Sequence, residues 1–184
     1  MPSSVWSDVL HSSEESRWRT PLELFEVLDR EFGFELDAAA DDLNALCPYW
    51  FDEACDGLSQ DWNSPTTYRA NALEVGPCPP PPWETVWLNP PYGRHSTPRW
   101  IEKAWKESRA GLTVVCLVMA CTETAWWHDL VSRATQVRFL RRRLHFKGPD
   151  GKTGPAPKGS AGVVFTPWWT GPPQFVLWDH SERL

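Results

Sequence analysis

The chain has 184 residues, 41% hydrophobic and 23% charged, enough for one domain with a real core and too short for two comfortable ones. A net charge of −6 argues against a uniformly basic nucleic-acid coat. Five cysteines, odd in number and with no C-x-x-C pair, argue against a zinc site or disulfide framework and fit reduced thiols.

Residues 1–17 are polar and Ser-rich and read as a flexible arm before a single domain spanning 18–184. They lack the basic and apolar regions of a signal peptide. No apolar run reaches the ~20 residues that a bilayer span needs, so no membrane partner is expected and a cytoplasmic location is. Thr20-Pro21 suits a helix start, with Thr as cap and Pro in the first turn. Leu22, Phe25, Leu28 and Phe32 recur at helical spacing, which predicts an amphipathic helix over 21–32 that Gly33 ends. Phe34 to Leu36 reads as a short strand with Asp37 at its carboxyl end. A short helix is expected near 42–47 and a turn at Asp56-Gly57. The stretch 63–83, with "GPCPPPPW", reads as an exposed Pro-rich insertion.

Thr85 to Leu88 is a second apolar strand. A helix over 98–109 presents Trp100, Ile101, Ala104 and Trp105 on one face. "TVVCLVMA", 113–120, is a central strand buried on both faces. A helix over 123–133, a strand "TQVRFL", a loop over 147–160 and a hairpin-like pair "AGVVFTP" and "QFVLWD" complete the chain. Strands alternate with helices, the pattern of an open α/β sheet with ligands beyond its carboxyl strand ends. Asp37 and Asn89 both stand at such ends and share one crevice if their strands are neighbours.

The stretch "VWLNPPYG" joins that pattern to chemistry. Asn89 offers a side-chain carbonyl, and Pro90 a backbone carbonyl, both acceptors. Pro90 and Pro91 stiffen the corner that spaces them. Tyr92 offers a flat face. Two acceptors and a stacking surface suit an exocyclic amino group on a planar ring, such as a base extruded from its stack. Two accepted hydrogen bonds favour a tetrahedral nitrogen with its lone pair aimed at an electrophile, a gain of positioning and electrostatics. No general base adjoins the corner. His95 and His128 have no partners at metal-ligand spacing, so no metal is expected.

"LNPPYG" resembles motif IV of the amino-methyltransferases. The ordered series "TPLELFEVLDREFGFELDAAADDLNA", "DGLSQDW", "VWLNPPYGR", "WIEKAWKES", "WWHDLV" and "VRFLRRRLHF" resembles the phage-type DNA N-6-adenine methyltransferases, the Dam-like group, over about 18–166. The resemblance implies a Rossmann-like class I fold, three-layer α/β/α and abbreviated in its first half. It implies S-adenosylmethionine as cofactor and DNA, with one adenine flipped out, as partner. Asn89, Pro90, Pro91 and Tyr92 are then catalytic. Thr20, Pro21, Asp37, Ala38, Ala39, Asp56, Leu58 and Asn89 are then cofactor-binding. "LDAAAD" lacks the glycines common in such cofactor turns, and no separate target-recognition domain is evident. Protection of phage DNA from host restriction is the purpose that the resemblance suggests.

From Arg133 to Lys158 there are eight Lys/Arg and one Asp, a basic stretch on an acidic chain. Arg94, Arg141, Arg142, Arg143 and Lys147 are the expected phosphate contacts. The competing reading of the arginine run is a solvated strand edge or an acidic partner within the protein. Asp37 has a bland alternative as a turn or cap residue, as does Asp56 in its Asp-Gly turn. Asn-Pro-Pro-Tyr alone does not separate adenine from guanine in RNA or from a protein glutamine. A non-catalytic DNA- or cofactor-binding remnant is the reading from another class.

Overall fold

A computed structural model describes residues 19–71, 82–147 and 153–179. Its centre is an eight-stranded mixed sheet. In chain order the strands are β1 (Leu36–Asp37), β2 (Tyr49–Trp50), β3 (Arg69–Ala70), β4 (Thr85–Leu88), β5 (Thr113–Met119), β6 (Gln136–Leu140), β9 (Ser160–Phe165) and β10 (Gln174–Trp178). Their spatial order is β10-β6-β9-β5-β4-β1-β2-β3. A separate ribbon pairs β7 (His145–Lys147) with β8 (Thr153–Pro155).

β2, β1, β4 and β5 run parallel, which places their carboxyl ends together. β9 is antiparallel to both β5 and β6, so β6 runs with β5 and ends on the same side of the molecule. The order of the strands reverses between β1 and β4. At such a switch the connecting segments leave toward opposite faces and open a crevice.

Helix α1 (Leu22–Phe32) packs on one face and α2 (Ser96–Arg109) with α3 (Ala125–Leu130) on the other. The apolar stripe read in the sequence is the one buried by α1: Leu24, Phe25, Val27 and Leu28. Phe25 meets Trp87 of β4 edge-on, with centroids 5.5 Å apart. Each such side chain contributes roughly 1.5–3 kcal/mol of burial. Gly33, with φ of 63°, takes the left-handed cap that ends the helix. On the other face Trp100, Ile101 and Ala104 of α2 pack on Val86, Leu88, Val114 and Cys116. Central β5 is buried along nearly its whole length, as its unbroken apolar run requires.

Several expectations are corrected. β9 and β10 do not form a hairpin: β9 inserts between β5 and β6, and β10 pairs parallel with β6 at the sheet edge. Two apolar runs close in sequence read as a hairpin, but their long-range partners bury them better. Thr20 makes no side-chain cap; the first turn of α1 closes on the Pro21 carbonyl, which accepts from Leu24 and Phe25. Residues 42–44 are turns rather than a helix, because Asn44 Oδ1 accepts from the Asp41 N–H and the Asp41 carboxylate accepts from the Leu43 N–H. The strand at 34–36 is displaced: Phe34 enters the core and Asp37 is the last strand residue.

The stretch 63–83 is not all loop. Arg69 and Ala70 form β3, and Tyr68 packs with buried Trp83 at 5.8 Å. Pro77, Pro79, Pro80 and Pro81 between them lie outside the described residues, and Pro82 is exposed. The loop over 147–160 contains β8 and the start of β9. No helix among the described residues is long and apolar enough to cross a membrane.

Candidate functional site

The crevice at the β1/β4 switch is a shallow cleft open to solvent. Residues Asp37 and Ala39 come from the end of β1, and Trp87, Asn89, Pro90, Pro91 and Tyr92 from the end of β4. Arg19 and Thr20 enter from the approach to α1, and Asn44 and Leu46 from the turn after β1. Thus Asp37 and Asn89, far apart in sequence, meet because β1 and β4 are parallel neighbours with Asp37 opposite Trp87.

Asp37 is 3% exposed. Its carboxylate accepts from the backbone N–H of Leu46 at 3.3 Å and of Ala39 at 3.4 Å. Burial dominates over these bonds and lifts its pKa from 3.8 to about 7, with a smaller push from Asp41. Burial thus favours the neutral carboxyl, and a cation placed beside it would favour the carboxylate.

The Asn-Pro-Pro-Tyr corner is a half-buried turn between β4 and α2. Tyr92 donates its hydroxyl to Asn89 Oδ1 at 2.9 Å. Burial raises the Tyr92 pKa well above its ordinary value, so the hydroxyl keeps its proton and remains a donor. The Tyr92 ring meets Phe146 of β7 edge-on at 6.1 Å. Phe146 is 2% exposed and carries the β7–β8 ribbon onto the site. Arg19 N–H donates to the Lys147 carbonyl at 3.1 Å, which ties the same ribbon to the approach segment.

Of the residues expected at a cofactor, Thr20, Asp37, Ala39 and Asn89 line this cleft, whereas Pro21, Ala38, Asp56 and Leu58 do not. Ala38 is buried on the α2 side and its N–H donates to Trp87 O at 2.9 Å. Asp56, with φ of 49°, turns the chain so that Gly57 lies against Ala38. A Cβ on Gly57 would stand 2.5 Å from the Ala38 carbonyl oxygen. Leu58 packs against the α2-side core. Trp62 is fully buried and donates its indole N–H to Gly57 O at 2.7 Å, so it braces this turn.

Arg19, Asn44, Leu46 and Trp87 are lining residues that sequence reasoning passed over. Trp87 belongs to a strand that reads as plain core, and only its neighbour in register, Asp37, reveals its place. No cluster of metal-ligating side chains occurs among the described residues, and His95 and His128 are exposed.

Arg141, Arg142 and Arg143 follow β6 and are exposed on the cleft side of the sheet, as are Arg94 after Tyr92 and Lys147 on β7. Arg141 pairs with Asp179 at 3.0 Å, so one member of the run has the internal acidic partner. Arg142 and Arg143 pair with no acid among the described residues. Arg138, also in the basic stretch, is spent on Glu31 and on the Phe32 and Trp178 rings.

Residues 7–177 match the family described as DNA N-6-adenine-methyltransferase (Dam). A protein of Escherichia phage T1 named "DNA N-6-adenine-methyltransferase" is 25% identical over 128 residues, covering 69% of this chain. The chain matches 45% of that protein's length, less than half of it.

Proposed function

The chain belongs to the DNA N-6-adenine-methyltransferase (Dam) family, and we propose that it transfers a methyl group from S-adenosylmethionine to the 6-amino group of adenine in DNA. The observation that carries this reading is the meeting of Asp37 with Asn89 in one cleft at the β1/β4 switch. We read the sheet as a Rossmann-like methyltransferase core with three minimal first strands of two residues each. The N-terminal arm over 1–17 and a Pro-rich insertion near 63–83 remain the proposed limits of the single domain.

The cleft fits the cofactor on its own chemistry. It offers a buried carboxylate for a cationic group and, among its lining residues, an orphaned buried donor in Trp87 Nε1. Bound S-adenosylmethionine supplies an electrophilic methyl on its sulfonium. The chain's own residues supply position. Asn89 Oδ1 and the Pro90 carbonyl accept the two amino hydrogens of an adenine flipped out of the duplex. Their pull turns the nitrogen toward tetrahedral geometry and frees its lone pair for attack. Tyr92 gives the base a ring edge and face against which to rest. The proton lost from the nitrogen leaves to solvent after transfer. Arg94, Arg142, Arg143 and Lys147 hold phosphates on the same side of the sheet.

The test is incubation of the purified protein with S-adenosylmethionine and unmethylated plasmid, digestion to nucleosides and mass spectrometry, with Asn89→Ala in parallel. The wild-type protein is expected to yield N6-methyladenine and the variant to fall by at least about 100-fold. Absence of methyladenine with cofactor binding intact rejects DNA adenine as acceptor. Equal product from both proteins rejects the role of Asn89.

A further inference from the structure

The two edges of the central sheet are unlike. β3 closes one side with two residues, one of them Arg69, and a short, charged edge resists further pairing. β10 closes the other side with five residues that include neither a charge nor a proline. Among the described residues no strand pairs with its outer side. Phe175 and Leu177 of this strand are 68% and 90% exposed. They share one face by alternation. On that face Phe175 stacks on Phe139 of β6 at 6.1 Å, and Phe139 in turn on Trp127 of α3.

The backbone shows which groups of β10 are open. The Gln174 N–H donates to the Thr135 carbonyl, and the Trp178 carbonyl accepts from the Arg141 N–H, so alternate residues turn inward to β6. Phe175 and Leu177 therefore turn their N–H and C=O groups outward. An antiparallel copy of the same strand meets this edge in full overlap about a two-fold axis at Val176. Phe175 then lies opposite Leu177 of the second copy, in a pair that exchanges both N–H···O bonds, and the axis repeats the exchange. The apolar side chains exposed on one chain cover each other in two. Charge favours a second copy over an ionic peptide. Each chain carries −6, but β10 is uncharged and Asp179 beyond it is paired with Arg141.

We propose that the β10 edge is a self-association surface that joins two copies of this chain into a closed dimer with one continuous sheet. Pairing uses the open edge of each copy and leaves only the short β3 edges, so assembly stops at two. The Phe–Leu pairs and the strand edges together bury on the order of 1,000 Å², the low end for a specific interface, which sets a micromolar dimer rather than a nanomolar one. β10 runs parallel with β6 and β5, so the axis turns the two clefts toward opposite ends of the joined sheet. Each copy therefore works on its own stretch of substrate. The proposal rests on the strand topology and is independent of the methyltransferase reading.

Sedimentation velocity of the full chain from about 1 to 200 µM tests it. The wild-type protein is expected to shift from monomer to dimer across this range. Leu177→Lys changes an exposed side chain far from the cleft and should raise the dimer Kd at least about tenfold without lowering the melting temperature. Leu43→Lys, at another leucine that is 76% exposed, should dimerise as the wild-type protein does. The register has its own readout. At a non-hydrogen-bonded antiparallel pair the Cα atoms stand about 4.5 Å apart, within disulfide reach. Val176→Cys should therefore cross-link to a covalent dimer with oxidised glutathione, and Gln174→Cys, opposite Trp178 of the second copy, should not. A monomer at every concentration overturns the proposal; if deletion of residues 1–17 then permits dimers, that arm is the occupant instead. A dimer that Leu177→Lys leaves intact, or association that runs on beyond two copies, overturns it as well.

Discussion

The Tyr92 hydroxyl donates to Asn89 Oδ1 at 2.9 Å, so the corner that is proposed to hold a base is also bonded to itself. A carbonyl oxygen has two lone pairs and can accept a second hydrogen. The bond therefore orients the amide rather than blocking it. It fixes which end of Asn89 is the acceptor, while the prolines fix where that end lies.

Tyr92→Phe separates orientation from stacking. The ring and its contact with Phe146 remain, and only the hydroxyl is lost. One hydrogen bond of about 1 kcal/mol predicts about a fivefold drop in kcat, with S-adenosylhomocysteine affinity unchanged. Tyr92→Ala removes the ring as well and should raise KM for DNA in addition. A Tyr92→Phe variant with wild-type kcat would show that Asn89 needs no such partner.

Asp37 supplies a pH dependence. Its pKa in the folded protein is about 7, raised from 3.8. A cation bound beside it favours the carboxylate, so cofactor affinity should fall as pH drops through about 7, approaching tenfold per unit below it. Binding at pH 6.5 should release protons, measured by titration calorimetry in buffers of different ionisation enthalpy. The same shift has the opposite sign for stability. The raised pKa favours the folded state below about 3.8, and that contribution is lost as pH rises through about 7. Asp37→Asn should accordingly raise the melting temperature at pH 8 more than at pH 5, while weakening cofactor binding and removing its pH dependence. A variant that melts lower at pH 8 than the wild-type protein would contradict the buried-charge account.

Gly57 tests how the site is braced from behind. A Cβ there would stand 2.5 Å from the Ala38 carbonyl oxygen and 3.0 Å from Trp100. Ala38 adjoins Asp37, so any retreat moves the cleft. Gly57→Ala should cost about 1–3 kcal/mol by chemical denaturation and weaken S-adenosylhomocysteine binding. Gly93→Ala serves as control, because a Cβ there meets only Ser96 Cβ at 3.6 Å. Equal stabilities for the two variants would reject close packing as the reason for Gly57.

Local signals were legible where periodicity or a rigid dipeptide set them. The stripe of α1, its Gly33 stop, the apolar run of β5 and the turn at Asn89-Pro90 all follow from neighbours in sequence. The meeting of Asp37 and Asn89 was legible too, since both end parallel strands. What failed to show depends on long-range pairing. Nothing near Ala161 to Phe165 says that β9 will divide β5 from β6. Nothing near Phe146 says that it will buttress Tyr92. Two-residue strands such as β2 carry too little pattern to be read at all, though β2 supplies the neighbour that buries Asp37 on its outer side.

The basic run should divide into unequal parts. Arg141 is held by Asp179, with side chains 66% and 12% exposed, whereas Arg142 and Arg143 are exposed without an ion-pair partner among the described residues. A phosphate contact by Arg141 must first give up that pair, so its net contribution is smaller. Each phosphate neutralised adds about 0.9 to the slope of log affinity against log salt. Fluorescence anisotropy with a short duplex across a salt series should therefore show Arg142→Gln/Arg143→Gln reducing the slope by about 2. Arg141→Gln should reduce it by less than about 1. The losses should be uniform across duplex sequences, because phosphate contacts position the protein without reading bases. A double variant with the wild-type slope would place the DNA on another face and leave the two arginines as solvated surface.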